Sequence, residues 1–146
     1  MIEVIRHAAL MSTPEGPDII EGAGGRRIGL AVQLLVALVM LADGLAGLLY
    51  PQGMADVMAS DGWGPETSFP VAVFALVSGV VYAVPRTAVL GAILITGFAG
   101  GALAAHLRVT QAIIWPELVN VALGVGAWGG LWLRDPRLRA LLPLRR

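Results

Sequence analysis

The sequence predicts an all-α integral membrane protein, a bundle of four transmembrane helices with short interfacial helices. Hydrophobic residues make up 57% of the 146 residues and charged residues only 14%, whereas a soluble domain carries about 25% charged residues. Apolar segments long enough to cross a bilayer recur along the chain. The ten basic residues are all arginines and cluster where these segments end. Lipid is therefore the expected solvent for most of the chain.

Four apolar segments are predicted to cross the membrane as one domain over residues 27–143. In chain order they are residues 28–50, 68–84, 87–109 and 113–133. A helix of about 23 residues rises about 35 Å, which exceeds the hydrocarbon core of about 30 Å. The turn at Pro85 and Arg86 makes the second and third spans an antiparallel hairpin.

The third span carries the clearest packing signal. Gly97, Gly101 and Ala105 recur at every fourth position, and Gly100 and Ala104 continue a second ridge beside them. Small residues at this spacing let two helices approach closely. Two such ridges predict that this helix lies at the centre of the bundle and that its glycines serve helix packing.

The segments outside the spans are predicted from their polarity. Residues 1–26 are expected to form a polar cytoplasmic tail, and residues 135–146 a basic interfacial segment in which Asp135 caps a short helix. The connector, residues 51–66, fits two structures. One is an interfacial helix that ends at Gly62, and the other is a plain loop; the sequence leaves both open.

The arginines predict the orientation of the bundle. Nine lie on the side that holds both termini and the Pro85 turn, and only Arg108 lies at the other end. By the positive-inside rule, both termini of this multi-pass protein face the cytoplasm of the bacterial inner membrane. The arginines near the membrane are expected to meet anionic lipid of the bilayer, so they indicate no nucleic-acid partner.

Polar residues gather in the outer half of the predicted bundle. The candidate ligand-binding residues are Asp43, His106, Arg108, Glu117 and Asn120. An ionisable side chain at the bilayer centre costs at least about 2.5 kcal/mol, so these groups are expected to face the bundle and to pair. Arg108 or His106 is the predicted partner of Asp43. His106 and Arg108 are about 200° apart around the helix and are expected to point to opposite sides.

Three interpretations of this polar cluster stay open. In the first, it is a structural cluster that sets helix register. In the second, it is the wall of a cavity that binds the polar head of a quinone-like or lipid ligand. The third is an enzyme in which Asp43 or Glu117 acts with His106 as acid or base, and no nucleophile motif supports it. The absence of Cys excludes disulfides and iron–sulfur clusters, and two distant histidines offer no obvious zinc or haem site. No intrinsic cofactor or metal is expected.

Four motifs resemble those of the DoxX-like family of small bacterial membrane proteins. They are Asp43-Gly44, Pro85-Arg86-Thr87, His106-x-Arg108 and Leu131-x-Leu133-Arg134-Asp135. The resemblance runs from about Arg27 to Pro143 and implies a four-helix membrane bundle. Family members often carry a Lys one turn after the Asp-Gly pair, where this chain has Gly47. That departure implies that Asp43 is free to pair with Arg108 or His106.

The resemblance also implies a role in quinone-linked redox or oxidative-stress processes. Because the chain has no Cys and no haem ligands, any redox chemistry must come from a bound quinone or a partner protein. We therefore expect an accessory or membrane-anchoring subunit without catalytic activity of its own. The alternative is a structural scaffold that binds no ligand. A membrane redox protein and a second copy of the chain are the protein partners left open.

Overall fold

The computed structural model describes residues 18–110 and 115–141, and the regular structure in these residues is helical. In chain order the elements are α1 (Asp18–Leu49), α2 (Pro51–Ser60), a 3₁₀ turn (Pro65–Thr67), α3 (Ser68–Ala83), α4 (Ala88–Thr110), α5 (Trp115–Arg134) and α6 (Pro136–Leu141). Most of the predicted tail, the first residues of the fourth span and the last residues of the chain lie outside the described ranges.

Three segments of the described chain are long and apolar enough to cross a membrane. They are Gly24–Leu49, Pro65–Ala83 and Ala88–Thr110. Helix α5 has 20 residues, but Glu117, Asn120 and its tryptophans lower its hydropathy. The all-helical fold is therefore confirmed, with three helices that could span a membrane, and a fourth span at α5 stays a prediction.

Helix α1 begins at Asp18, ten residues before the predicted start of the first span at Ile28. Once a helix has nucleated, each further residue adds one hydrogen bond, so the apolar segment extends into its polar flank. Pro17 precedes the helix, and no proline follows until Pro51. Residues 18–26, which were predicted to belong to the tail, are therefore helical.

The four long helices form a ring in the order α1, α3, α4, α5, in which each helix contacts its two neighbours. Neither diagonal pair, α1 with α4 or α3 with α5, makes a close contact. The prediction that the third span lies at the centre of the bundle is therefore wrong, because α4 occupies one corner of the ring. We call the end with α2 the connector end and the end with the Pro85 turn the turn end.

Glycines of α1 bring this helix against both of its neighbours. A Cβ atom added at Gly44 would lie 2.6 Å from the backbone nitrogen of Leu76 in α3. One added at Gly29 would lie 2.7 Å from the carbonyl oxygen of Gly130 in α5. These distances are too short for any side chain, so the backbones of α1, α3 and α5 touch because glycine is present.

The glycines of the two predicted ridges of α4 do not bring helices together, whereas Gly91, near the start of α4, allows contact with the backbone of Tyr82 in α3. Nothing lies within 4 Å of a Cβ atom added at Gly97, Gly100 or Gly101. Gly100 and Ala104 are exposed on the outside of the bundle, whereas Gly97 and Gly101 face an internal cavity. The predicted packing role is therefore wrong for these three glycines, because their spacing alone does not show whether a helix or a void lies opposite. Ala92 at the start of the second ridge is fully buried in the core, as a packing role requires.

A buried hydrogen-bond network joins three helices at the turn end. Gln33 of α1 is 1% exposed, and its Nε2 donates to the carbonyl oxygen of Tyr82 in α3 at 2.9 Å. The guanidinium of Arg134 in α5 donates to Oε1 of Gln33. The Tyr82 hydroxyl in turn donates to the carbonyl oxygen of Ala127 at 2.8 Å. One amide side chain thus sets the register of α1 against α3 and α5.

Both short helices have the ends that their sequences indicate. Of the two structures open for the connector, the helix is confirmed as α2, and Gly62 beyond it has a φ of 78° that favours glycine. At α6, the backbone N–H of Arg137 donates to Oδ1 of Asp135 at 2.9 Å. The predicted cap at Asp135 is therefore confirmed.

Replacing Gln33 by Leu is expected to lower the free energy of unfolding by about 1–3 kcal/mol, because buried polar groups of Tyr82 and Arg134 lose their partner. Ser78→Ala is the control, since the Ser78 hydroxyl donates within its own helix to the carbonyl of Phe74 at 2.7 Å. Thermal unfolding of purified protein in detergent, followed by circular dichroism, measures both. Equal loss of stability in the two variants would contradict the proposed importance of the network.

Gly44→Ala is expected to destabilise the bundle by about 1–3 kcal/mol, because α1 and α3 must separate to admit the methyl group. The matched variant Gly100→Ala should be neutral or stabilising by up to about 1 kcal/mol, since its Cβ atom meets open space and alanine favours helix. The same unfolding experiment compares them. The packing assignment is wrong if Gly100→Ala proves the more damaging change.

Candidate functional site

A cavity of about 670 Å³ occupies the connector end of the bundle. All four long helices contribute to its walls, and α2 with the segment that follows it covers the end. Apolar side chains such as Met40, Phe98 and Leu123 form much of the lining. Small-molecule sites commonly have this size, apolar walls and a few placed polar groups.

The cavity exists because α4 presents its smallest residues to the interior. Gly97, Gly101, Ala102 and Ala105 all line it. No Cα atom of α4 approaches one of α1 across the ring, so the space that these residues leave is not filled by the opposite helix. Larger side chains at the glycines would occupy the volume without meeting another backbone.

Three of the predicted site residues lie at a similar depth in the cavity wall. Asp43 is six residues before the end of α1, His106 four before the end of α4, and Asn120 five after the start of α5. At 1.5 Å per residue, these positions are about 9, 6 and 8 Å below the helix ends. All three line the cavity. We call this set, Asp43, His106 and Asn120, the polar level.

His106 is paired with a residue of the connector. Its Nδ1 lies 2.9 Å from Oδ1 of Asp61, and the side chains are 21% and 8% exposed. Asp61 directly follows α2 and also lines the cavity. The predicted pairing of Asp43 with His106 or Arg108 is therefore wrong, because the connector folds over the bundle and supplies the acid instead.

Arg108 contacts the same connector segment from outside the cavity. Its Nη2 donates to the carbonyl oxygen of Asp61 at 3.0 Å, and its guanidinium carbon lies 5.7 Å from the ring centroid of Trp63. A cation over an aromatic face is attracted by the ring quadrupole. His106 lines the cavity and Arg108 does not, as predicted from their separation around the helix, but both side chains reach Asp61. The segment passes over the last turns of α4, and the long Arg108 side chain reaches it from the other side.

The connector is a cover for the cavity. Met54, Val57 and Met58 line the cavity from α2, and the following segment is attached to α4 through Asp61. The two attachments differ in kind. His106 holds the Asp61 carboxylate inside the cavity wall, and Arg108 holds the backbone on the exposed side.

The remaining candidates have different surroundings. Asp43 lines the cavity and has no hydrogen-bond or ion-pair partner among the residues that the structure describes. Glu117 is fully buried in the first turn of α5 but does not line the cavity, and Arg108 does not line it either. The structure therefore brings Asp43, His106 and Asn120 together around one space. Ligand binding by them stays a prediction.

Asp61 is the site residue that sequence reasoning missed. It is one of three acids in the connector, and His106 and Arg108 end the third span on the same side of the predicted membrane. Charge complementarity therefore indicated the connector as their partner. The choice among its acids depends on the turn at Gly62, whose direction is set only when α2 packs on the bundle.

Comparison with known proteins gives a family but no individual relative. The family model described as the DoxX-like family matches residues 31–130. This range includes every residue that lines the cavity. No curated protein and no solved structure matches the chain. The family match covers well over half of the chain, and with the apolar helices it indicates a multi-pass membrane protein. The chain belongs to the DoxX-like family.

Proposed function

We propose that this protein binds a lipid-soluble ligand, a quinone-like molecule or a lipid, in the cavity at the connector end. It would act as an accessory or membrane-anchoring subunit in redox or oxidative-stress processes, with no catalytic activity of its own. The observation that carries the proposal is the cavity of about 670 Å³, with apolar walls and one polar level. Such a space suits an apolar molecule with a small polar head.

The lining supports one way of binding. A polar head would lie at the level of Asp43, His106 and Asn120, where side chains can form hydrogen bonds. The apolar body would lie against Met40 and Phe98, deeper in the bundle. Burial of apolar ligand surface in such a pocket supplies about 25 cal/mol for each Å² removed from water.

The distribution of charged and aromatic residues supports an orientation in the bacterial inner membrane. Arginines with described side chains lie mainly at the turn end: Arg26, Arg27, Arg86, Arg134 and Arg137. Exposed aromatic residues mark the connector end: Tyr50, Trp63, Phe69 and Trp115. Aromatic belts lie at membrane interfaces and arginines remain in the cytoplasm. We therefore place the turn end and both termini in the cytoplasm, and the cavity on the outer side.

Helix α5 completes this arrangement as a fourth span. Its 20 residues rise about 30 Å, which matches the hydrocarbon core. It packs on α1 at the turn end, where Gly130 meets Gly29, and it lines the cavity at the connector end through Val119 and Asn120. It therefore runs along the whole bundle beside the three apolar helices.

A second candidate function is partner scaffolding, and one observation favours it. Gly100 and Ala104 form an exposed small-residue ridge on α4. In lipid, such a ridge allows a helix of another chain to approach closely. The partner would be a membrane redox protein or a second copy of this chain.

Single cysteines are expected to report the orientation, since the natural chain has none. An impermeant maleimide added to intact cells should label Ser60→Cys in the connector but neither Val84→Cys nor Pro136→Cys. Labelling of all three after the cells are opened is the control. Labelling of Pro136→Cys in intact cells, with Val84→Cys protected, would show that α5 does not cross.

Gly101→Leu is expected to weaken binding of a short-tailed benzoquinone at least about tenfold, because its side chain would occupy the cavity. The matched control is Gly100→Leu, one residue away on the same helix but not part of the cavity lining. Equilibrium dialysis with protein in detergent measures the affinity, and unfolding temperatures show that both variants are folded.

Two outcomes would contradict the ligand site. If both variants bind the benzoquinone as well as the natural protein does, the ligand does not lie in the cavity. If the natural protein binds neither the benzoquinone nor an extracted lipid, the scaffolding function is favoured over ligand binding.

A further inference from the structure

The polar groups of the cavity are mainly hydrogen-bond acceptors. Asp43, Asp61 and His106 all line it. No arginine lines the cavity in the described part of the chain, since Arg108 is directed to the outer side of the connector. A ligand with only carbonyl oxygens in its head would meet few donors here.

The pairing with Asp61 decides what His106 offers to a ligand. Because Nδ1 lies 2.9 Å from Oδ1 of Asp61, the proton of a neutral imidazole is held on Nδ1. The second ring nitrogen, Nε2, then carries a lone pair and accepts a hydrogen bond.

Asp43 is the second acceptor of the polar level. The oxygens of a carboxyl group accept hydrogen bonds. Asp43 lines the cavity, and no other described residue forms a hydrogen bond or an ion pair with it. A hydroxyl group of the ligand would satisfy it by donating a hydrogen bond.

Three other polar side chains line the cavity: Trp63, Thr67 and Asn120. The indole N–H of Trp63 can only donate, so it is the one side chain of the described lining that favours an acceptor in the ligand head. The hydroxyl of Thr67 donates to the carbonyl oxygen of Gly64 at 2.7 Å, so its proton is already in use. The amide of Asn120 can both donate and accept, and therefore fits either kind of ligand head.

We propose that the cavity selects lipid-soluble molecules whose polar head is a hydroxyl group that donates hydrogen bonds to His106 and Asp43. For a ligand that exists in two redox forms, the site holds the hydroquinone and discriminates against the quinone. This inference rests on the proposed function, since it concerns the same cavity. It adds the chemical class of the head group and the redox form that is bound.

The test compares three probes of the same shape at pH 8, above the ordinary titration range of an imidazole. They are a decyl-substituted benzoquinone, its hydroquinone kept reduced without oxygen, and the dimethyl ether of that hydroquinone. Isothermal titration calorimetry in detergent gives the affinities. The hydroquinone should bind at least about tenfold more tightly than the other two, because it alone donates hydrogen bonds to His106 and Asp43.

Variants locate the preference on the named residues. Asp43→Asn and His106→Phe should each reduce the hydroquinone preference severalfold. Asp56→Asn makes the same chemical change as Asp43→Asn on an exposed acid of α2 outside the cavity, and should retain the preference. The ether comparison uses the natural protein, so it decides the proposal even if a variant fails to fold.

Each other result overturns a defined part of the proposal. Equal binding of hydroquinone and quinone refutes the hydroxyl selectivity but leaves the cavity as a ligand site. A decyl ammonium probe that binds more tightly than the hydroquinone shows a cation site instead. A preference unchanged in both Asp43→Asn and His106→Phe refutes the assigned residues. Failure of all three probes removes the proposed quinone-like ligand together with this inference.

Discussion

The bundle depends on the close contact of α1 with the backbones of its two neighbours. In lipid the hydrophobic effect does not press helices together, so small residues and buried polar bonds must hold them. Gly44 admits α3, and Gly29 admits α5. Between these two contacts, Gln33 forms hydrogen bonds with Tyr82 and Arg134, one on each neighbour. Helix α4 does not touch α1 and is held by α3, by α5 and by the connector.

The cavity follows from this unequal packing. Where α1 meets its neighbours, glycine allows contact of two backbones and no space remains. Where α4 faces α1 across the ring, Gly97 and Gly101 meet nothing, and the same residue type creates a void. The connector then closes the void because Asp61 pairs with His106 inside and its carbonyl accepts from Arg108 outside. Asp61 thus lines the cavity and also attaches the connector to α4.

Local features of this protein could be predicted from the sequence, but the contacts between residues far apart in the chain could not. The hairpin at Pro85 and the cap at Asp135 depend on neighbouring residues, and both were correctly assigned. The placement of polar groups at one end was predictable because charged side chains avoid the apolar centre of a membrane. The partner of His106 was not, because Asp61 directly follows α2 and reaches His106 only when that helix packs on the bundle. The role of the Gly97 ridge was also mispredicted, since its spacing fits both a helix contact and a void.

The sequence by itself determined the helical class, the family and the end of the bundle that carries the polar level. A chain in lipid must satisfy its backbone hydrogen bonds within each segment, so helices follow from apolar length alone. Only the tertiary structure decided which helices touch, where the void lies and which acid faces His106. These properties depend on surfaces far apart in the chain, as when Gln33 bonds to Tyr82 across 49 positions. Whether two such surfaces pack against each other depends on the shape of every helix that lies between them in the chain.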